Sequence, residues 1–240
     1  MLSRLRILTC IIALSITAGC NQHAAKSGHI FDLEAYTPQH ASGFVVECDK
    51  EQNTIIRVTQ PWQGKAPAEQ SLAIFHNPKD AHNYNGQHII GYAERVVCMS
   101  SSHIAMLDAV GKADAIVGVS GKQYIFNPAI STNPDIKDIG YDSNIDYEAL
   151  VSLHPDVVLM YGITSEDSTV TAKLRELNIP YLYLGDYTEQ SPLGKAEWVV
   201  VLGEIVGCRA YAEEIFANIV ARYNAIKAGI TTEYKPKVMF

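Results

Sequence analysis

From residue 91 onward, short unbroken apolar runs at 95–99, 115–119, 136–139, 156–160 and 181–184 alternate with stretches whose apolar residues recur every three or four positions. A run without polar alternation fits a strand buried on both faces, and the helical stretches between runs carry the chain back across the sheet. The pattern therefore predicts an α/β fold, a parallel sheet flanked by helices. After the first run Ile104, Leu107 and Val110 share one helix face, closed by Gly111. Asp146 can cap a helix carrying Leu150 and Val151, and Thr164 or Ser165 one that reaches Leu177. Before residue 91 the signal changes: 43–47 and 54–59 flank a polar turn and predict a hairpin, with 71–75 as a third strand.

The last part of the chain leaves this alternation. Residues 192–206 read as one helix, and Ala212, Ile215, Phe216, Ile219, Tyr223 and Ile226 form the apolar stripe of another. A helix of about 20 residues is roughly 30 Å long, enough to span a small domain rather than tuck beneath a sheet. The 235–237 segment then introduces apolar residues 238–240, which read as the opening of a new strand. The chain is thus expected to be the front part of a longer protein.

The first twenty residues carry Arg4 and Arg6, an apolar run at 7–16 and small residues before Cys20. That is a secretory leader, too short for a spanning helix. Its Ala-Gly-Cys ending resembles a bacterial lipobox, with Thr17 where Leu is usual. The resemblance implies acylation of Cys20 and a chain held to the cell membrane by lipid on the periplasmic side. The polar stretch 21–42 reads as the tether. Cys48, Cys98 and Cys208 are odd in number and scattered, so they imply no disulfide framework. A formal charge of −7 argues against nucleic acid as a partner.

Ligands of open parallel sheets gather beyond the carboxyl ends of the strands. The loops leaving those ends, at 100–103, 120–124, 141–143, 161–164 and 185–188, hold Ser101, Ser102, His103, Lys122, Tyr124, Tyr141, Tyr161 and Tyr187. These are the candidate ligand-binding residues. Tyrosine faces with a hydroxyl handle suit a flat, partly polar macrocycle. His103, near a helix start, can donate to an anionic ligand, and Lys122 can meet a propionate or phosphate. His76, His82 and His88 recur at even intervals in one loop, the pattern of a zinc or manganese trap, though the spacing supplies no reason to converge. Enzyme motifs are lacking. Gly121-Lys122 ends like a phosphate loop, but Ile116 stands where the earlier glycine is required and Gln123 replaces Ser or Thr. The expectation is no enzyme and no cofactor.

Four segments together resemble the substrate-binding proteins of ABC importers for vitamin B12, haem and iron-siderophore complexes. Residues 95–103 with Leu107 and Gly111 look like that family's opening strand, serine-rich loop and first helix, and 116–119 like its second strand. Residues 139–140 and 144–148, with Leu150, Leu153 and 155–158, are similar to its most recognisable stretch. Residues 192–198 with Gly203 are similar to a helix entry of Bacteroidetes members, which also carry a β-rich extension. The resemblance implies two α/β lobes joined by one long helix, a chelated metal compound (cobalamin, haem or ferric siderophore) held between them, and the importer's membrane subunits as partner. It places Glu148 where a first-lobe carboxylate docks into an arginine-lined socket of the permease. Ile104-Ala105 replaces the family's acidic pair after the serine loop.

The chain then divides into a lipoprotein signal peptide at 1–20, a tether at 21–42, a β-rich extension at 43–90, an N-terminal α/β lobe at 91–208, a connecting helix at 209–232 and the start of a missing second lobe at 233–240. The rival readings are a zinc or manganese importer receptor and an exported protein-interaction module.

Overall fold

The expected hairpin is the centre of a five-stranded sheet in the computed structural model, which describes residues 31–64, 69–141, 144–163 and 165–230. Its strands are β1 (Leu33–Tyr36), β2 (Phe44–Cys48), β3 (Thr54–Val58), β4 (Gln70–Phe75) and β5 (His88–Ile90), in that spatial order. Neighbours are antiparallel except β4 and β5. The register Val46↔Ile56↔Leu72 puts Phe44, Val46, Ile56, Val58, Leu72 and Ile74 on one face, all buried in the main core. Ile55, Ala73 and Phe75 take the other face, where Phe31, Ala81 and Tyr84 cover them.

Two parts of this region correct the sequence reading. The described part of the 21–42 segment is no tether: it contains β1 and is fastened by two buried carboxylates. Glu197 accepts hydrogen bonds from the Tyr36 hydroxyl (2.8 Å) and from the backbone N–H groups of Gln39 (2.7 Å), His40 (2.7 Å) and Ala41 (2.6 Å). Glu189 accepts from the N–H groups of Ser42 and Gly43, both at 2.9 Å. The three histidines of the 76–88 loop also part company. The His76 ring packs on Tyr92, and His88 on Phe75 and Tyr84. Among the described residues no three His, Cys, Asp or Glu side chains are grouped to hold a metal ion.

The second sheet alternates strand and helix: β6 (Val96–Cys98), α1 (Ser101–Ala109), β7 (Ile116–Val119), α2 (Pro128–Ser131), β8 (Lys137–Asp138), α3 (Tyr147–Ser152), β9 (Val157–Met160), α4 (Ser168–Glu176) and β10 (Tyr181–Tyr183). The strands run parallel in the order β10-β9-β6-β7-β8. Both faces are covered, as the unbroken apolar runs require. Val96, Cys98, Ile116, Leu159 and Leu182 pack with Ile104 and Leu107 of α1 and with the first sheet. Val97, Val158, Met160, Tyr181 and Tyr183 pack with Leu150 and Leu153 and with Val170 and Leu174 of α4. Side chains of the first sheet close the edge of β10: the Gln87 and Gln70 amide oxygens accept the N–H groups of Tyr181 (3.0 Å) and Tyr183 (3.4 Å). A strand edge that would otherwise be open is thereby covered.

Asp146 caps α3 as expected, its carboxylate accepting the Ala149 N–H. The cap of α4 is Asp167 rather than Ser165, since Asp167 receives the N–H groups of Thr169 (3.1 Å) and Val170 (3.2 Å). Thr164 lies outside the described residues, as do 1–30, with Cys20, and 231–240.

The helix expected over 192–206 is two helices, α5 (Pro192–Glu197) and α6 (Val199–Ile205), with Trp198 at the joint. Every residue of α6 is buried. α7 (Arg209–Ala228) is the long helix foreseen. Its stripe divides: Ala212 and Phe216 are buried, whereas Tyr223 and Ile226 are 39% and 69% exposed, so only its first half is packed into the core. No helix among the described residues is long and apolar enough to cross a membrane.

Candidate functional site

The carboxyl ends of β6, β7 and β9 open onto a cavity of about 350 Å³ whose wall includes Met99, Ser120, Met160, Tyr161, Glu166 and Asp167. It follows from the parallel order that these loops converge, because each strand delivers its last residue to the same edge. Met99 and Met160 are the residues on which two buried runs end, and they supply thioethers. Glu166 and Asp167 supply the acidic wall. Burial opposes ionisation of Glu166, but hydrogen bonds from Thr171 and Arg175 and the guanidinium charge outweigh it, holding the carboxyl below its ordinary range. The Arg175 Nη2 donates to Glu166 Oε1 at 2.5 Å and the Tyr181 hydroxyl to the same oxygen at 3.2 Å.

The predicted residues fall into two groups. Tyr161 lines the cavity, and Tyr124 and Tyr141 stand exposed at the edge with rings 5.5 Å apart in an edge-to-face pair. Gly121 makes that pair possible: its φ is +64°, and a Cβ there would lie 3.0 Å from each ring. Ser101 is exposed at the first turn of α1. Ser102 is partly spent on the cap, its hydroxyl sharing a 3.0 Å hydrogen bond with Ser100 Oγ.

Tyr187, Lys122 and His103 are used internally instead. The Tyr187 hydroxyl bonds to the Gly162 carbonyl and the Ile163 carbonyl (2.8 Å) and receives the Gln63 N–H at 3.2 Å, tying three loops together; burial pushes its phenol pKa up. The Lys122 ammonium donates to the carbonyls of Asn133 and Ile136 (2.7 Å for the latter), so it pins its own loop. Asp138 completes that clasp by accepting the N–H groups of Gly121, Lys122 and Gly140. Glu148 is exposed in the first turn of α3.

His103 lies beneath the edge, wholly buried, and neither ring nitrogen makes a hydrogen bond of ordinary geometry. Its Nε2 is 3.9 Å from Asp186 Oδ1. Burial lowers its pKa below the ordinary 6.5; the Asp186 charge and the Leu159 carbonyl offset this only in part. The unfolded chain therefore binds the proton more readily, so folding stability is full above about pH 6.5 and falls as the pH drops below it. In urea titrations between pH 7.5 and 5.5, roughly the histidine range, His103→Leu is expected to lose part of the acid-side slope of the parent protein. Identical slopes would refute the assignment.

The acidic and thioether wall escaped the sequence reading, although its signal was present: a residue ending a buried parallel strand faces the ligand edge, and Glu166 with Asp167 closes the loop after β9.

Comparison with known proteins gives four likenesses. Residues 96–240 match the model of a family described as periplasmic binding protein. An uncharacterized lipoprotein of Methanocaldococcus jannaschii is 29% identical over 154 residues, 60% of this chain and 36% of that protein. Among solved structures, a periplasmic binding protein from Veillonella parvula aligns with 75% of this chain and 55% of its own at 16% identity and a TM-score of 0.50, a likeness of fold. A periplasmic haem-binding protein of Vibrio cholerae aligns with 60% of this chain and 52% of its own at 21% identity and a TM-score of 0.49. The chain thus spans about a third of the length of that curated relative and about half of the solved chains.

Proposed function

We propose a function from one premise: the chain belongs to the periplasmic binding protein family, whose model covers residues 96–240. On that premise the described α/β lobe is one half of a solute-binding lipoprotein. It captures a chelated metal compound, of the cobalamin, haem or ferric siderophore class, and delivers it to the membrane subunits of an ABC importer. The activity is capture and release without a chemical step, and Cys20 is the proposed attachment to the membrane. A relative named as a lipoprotein supports a periplasmic, membrane-associated place.

The observation that carries the reading is the surface at the sheet's carboxyl edge, where Tyr161 lines a cavity open to solvent and Tyr124 and Tyr141 stand exposed as a ring pair on neighbouring loops. Large aromatic faces left on a surface mark a binding site. Ser101 and Ser102 are proposed as further contacts. The rivals draw less support: the loop histidines are spread apart, and one face of the N-terminal sheet is buried in the protein's own core.

Absorbance titration tests the proposal on the whole gene product. One of haemin, a cobalamin or a ferric siderophore is expected to shift its band on binding, and Tyr141→Ala with Tyr161→Ala should weaken that binding about tenfold or more. Retained zinc with no chelate shift would overturn it. The same preparation tests Glu148 as the permease contact: Glu148→Lys should impair transport and leave the titration unchanged.

A further inference from the structure

The cavity of about 350 Å³ is walled by the α/β lobe, yet part of what holds it in shape comes from outside that lobe. Residues 59–64 leave β3, the central strand of the N-terminal sheet, and reach the carboxyl edge of the second sheet. They precede the residues that the family model matches.

Three contacts fasten this segment there. The Gln60 carbonyl lies so close to Gly185 that a Cβ at that glycine would come within 2.1 Å of it, and the next residue, Pro61, is buried. The Trp62 ring meets the Tyr183 ring edge to face, with centroids 5.4 Å apart at 87°. The Gln63 N–H donates to the Ile163 carbonyl at 3.0 Å and lies 3.2 Å from the Tyr187 hydroxyl.

The groups they touch are the supports of the cavity rim. Gly162 and Ile163 line the cavity directly after Tyr161, a proposed cargo contact. The Tyr187 hydroxyl holds both of their carbonyls, at 2.8 Å for Ile163, and Gln63 adds its bond to the same Ile163 oxygen. Tyr183 supports the rim from below. Its hydroxyl accepts the N–H of Asp167, a residue of the cavity wall, at 2.9 Å, and its ring lies against Gly162, where a Cβ would come within 3.1 Å. Ile163 is itself 65% exposed, so little packing of its own side chain fixes this loop. A rim fixed in advance does not have to be ordered by the cargo, and the cargo's affinity keeps what ordering would cost.

We infer that residues 59–64 are a positioning strap of the cargo site: Trp62 and Gln63, carried by the N-terminal sheet, hold the 161–163 rim in its binding shape through Tyr183 and Tyr187. The strap acts through these two residues and need not touch the cargo. The inference rests on the chelate-binding reading above and extends that site to a part of the chain ahead of the matched family region.

Equilibrium titration of the whole gene product with haemin, cyanocobalamin and ferrioxamine B tests it. The parent protein is expected to bind at least one of the three. For that chelate, Trp62→Ala and Tyr187→Phe should each weaken binding about fivefold or more. Trp62→Phe keeps a ring against Tyr183 and should stay within about twofold of the parent. Phe75→Leu separates positioning from mere stability: it loosens the opposite face of the same sheet, so it should lower the urea midpoint and leave affinity unchanged. Parental affinity in both Trp62→Ala and Tyr187→Phe, or an equal loss of affinity in Phe75→Leu, overturns the strap while the importer reading stands. Absence of binding by a parent protein with native circular dichroism overturns the importer reading, and the inference with it.

Discussion

Glu197→Ala is expected to lower folding stability by about 3–5 kcal/mol, read as an earlier midpoint in urea. Glu197 is completely buried, yet it belongs to a helix whose own backbone does not need its carboxylate. What needs it is a segment some 160 positions earlier, where the Tyr36 hydroxyl and three consecutive N–H groups point at its two oxygens. Each hydrogen bond to an ionised acceptor contributes roughly 1.5–3 kcal/mol, and donors left dry and unpaired cost a further share. Water can reach part of this segment, which keeps the total below the simple sum. Tyr36 reports the same contact: burial first, then the hydrogen bond and charge of Glu197, drive its phenol pKa far above the ordinary tyrosine range. Tyr36→Phe removes a single donor and should cost only about 1 kcal/mol. A loss below that figure for Glu197→Ala would mean that residues 36–43 are held by something else.

That clasp also explains what the sequence conceals. The second sheet was legible because burial on two faces leaves one unmistakable mark, an unbroken apolar run, at each of its strands. β1 leaves none: Leu33 and Glu34 are exposed, Ala35 and Tyr36 half-buried, and the Glu197 carboxylate that fastens Tyr36 lies 161 positions further along the chain. β5 is only three residues long, and it pairs in parallel across the very loop whose histidines draw attention to metal chemistry. The α4 boundary misled for a local reason, since Thr164 and Ser165 stand just before Asp167 and the cap is set by which side chain reaches the first free N–H groups.

The site divides along the same line. Loop membership was readable from strand order, so the tyrosines at the edge could be named. Whether a polar tip faces outward was not readable, because that depends on which acceptors the folded chain brings near. Lys122 finds two carbonyls at the end of its own loop, Tyr187 two on a different strand's loop, and His103 a core in which the Asp186 carboxylate stands 3.9 Å from its Nε2. Glu166 and Asp167 look like ordinary helix-start charges until β9 and α4 place them on the cavity wall.

Trp198→Ala is the second substitution expected to do severe damage, about 3–5 kcal/mol. The indole is fully buried where the two sheets meet the helical layer. Its ring centroid lies 4.9 Å from that of Phe44, tilted by 58°, and its Nε1 donates to Glu189 Oε1 at 3.2 Å. Gly43 and Gly185 are shaped around it: a Cβ at Gly43 would come within 2.9 Å of the indole, and one at Gly185 within 3.4 Å. An alanine leaves a void that neither glycine can fill, and Glu189 keeps only the Ser42 and Gly43 donors. Trp198→Phe restores most of the contact but not the N–H, so roughly 1–2 kcal/mol of the loss should remain. A double-mutant cycle with Phe44→Ala should return a coupling of about 0.5–1.5 kcal/mol. Additive losses would mean that the N-terminal sheet packs on the α/β lobe without this ring pair; coupling within that range makes the sheet an integral wall of the lobe whose far edge carries the site.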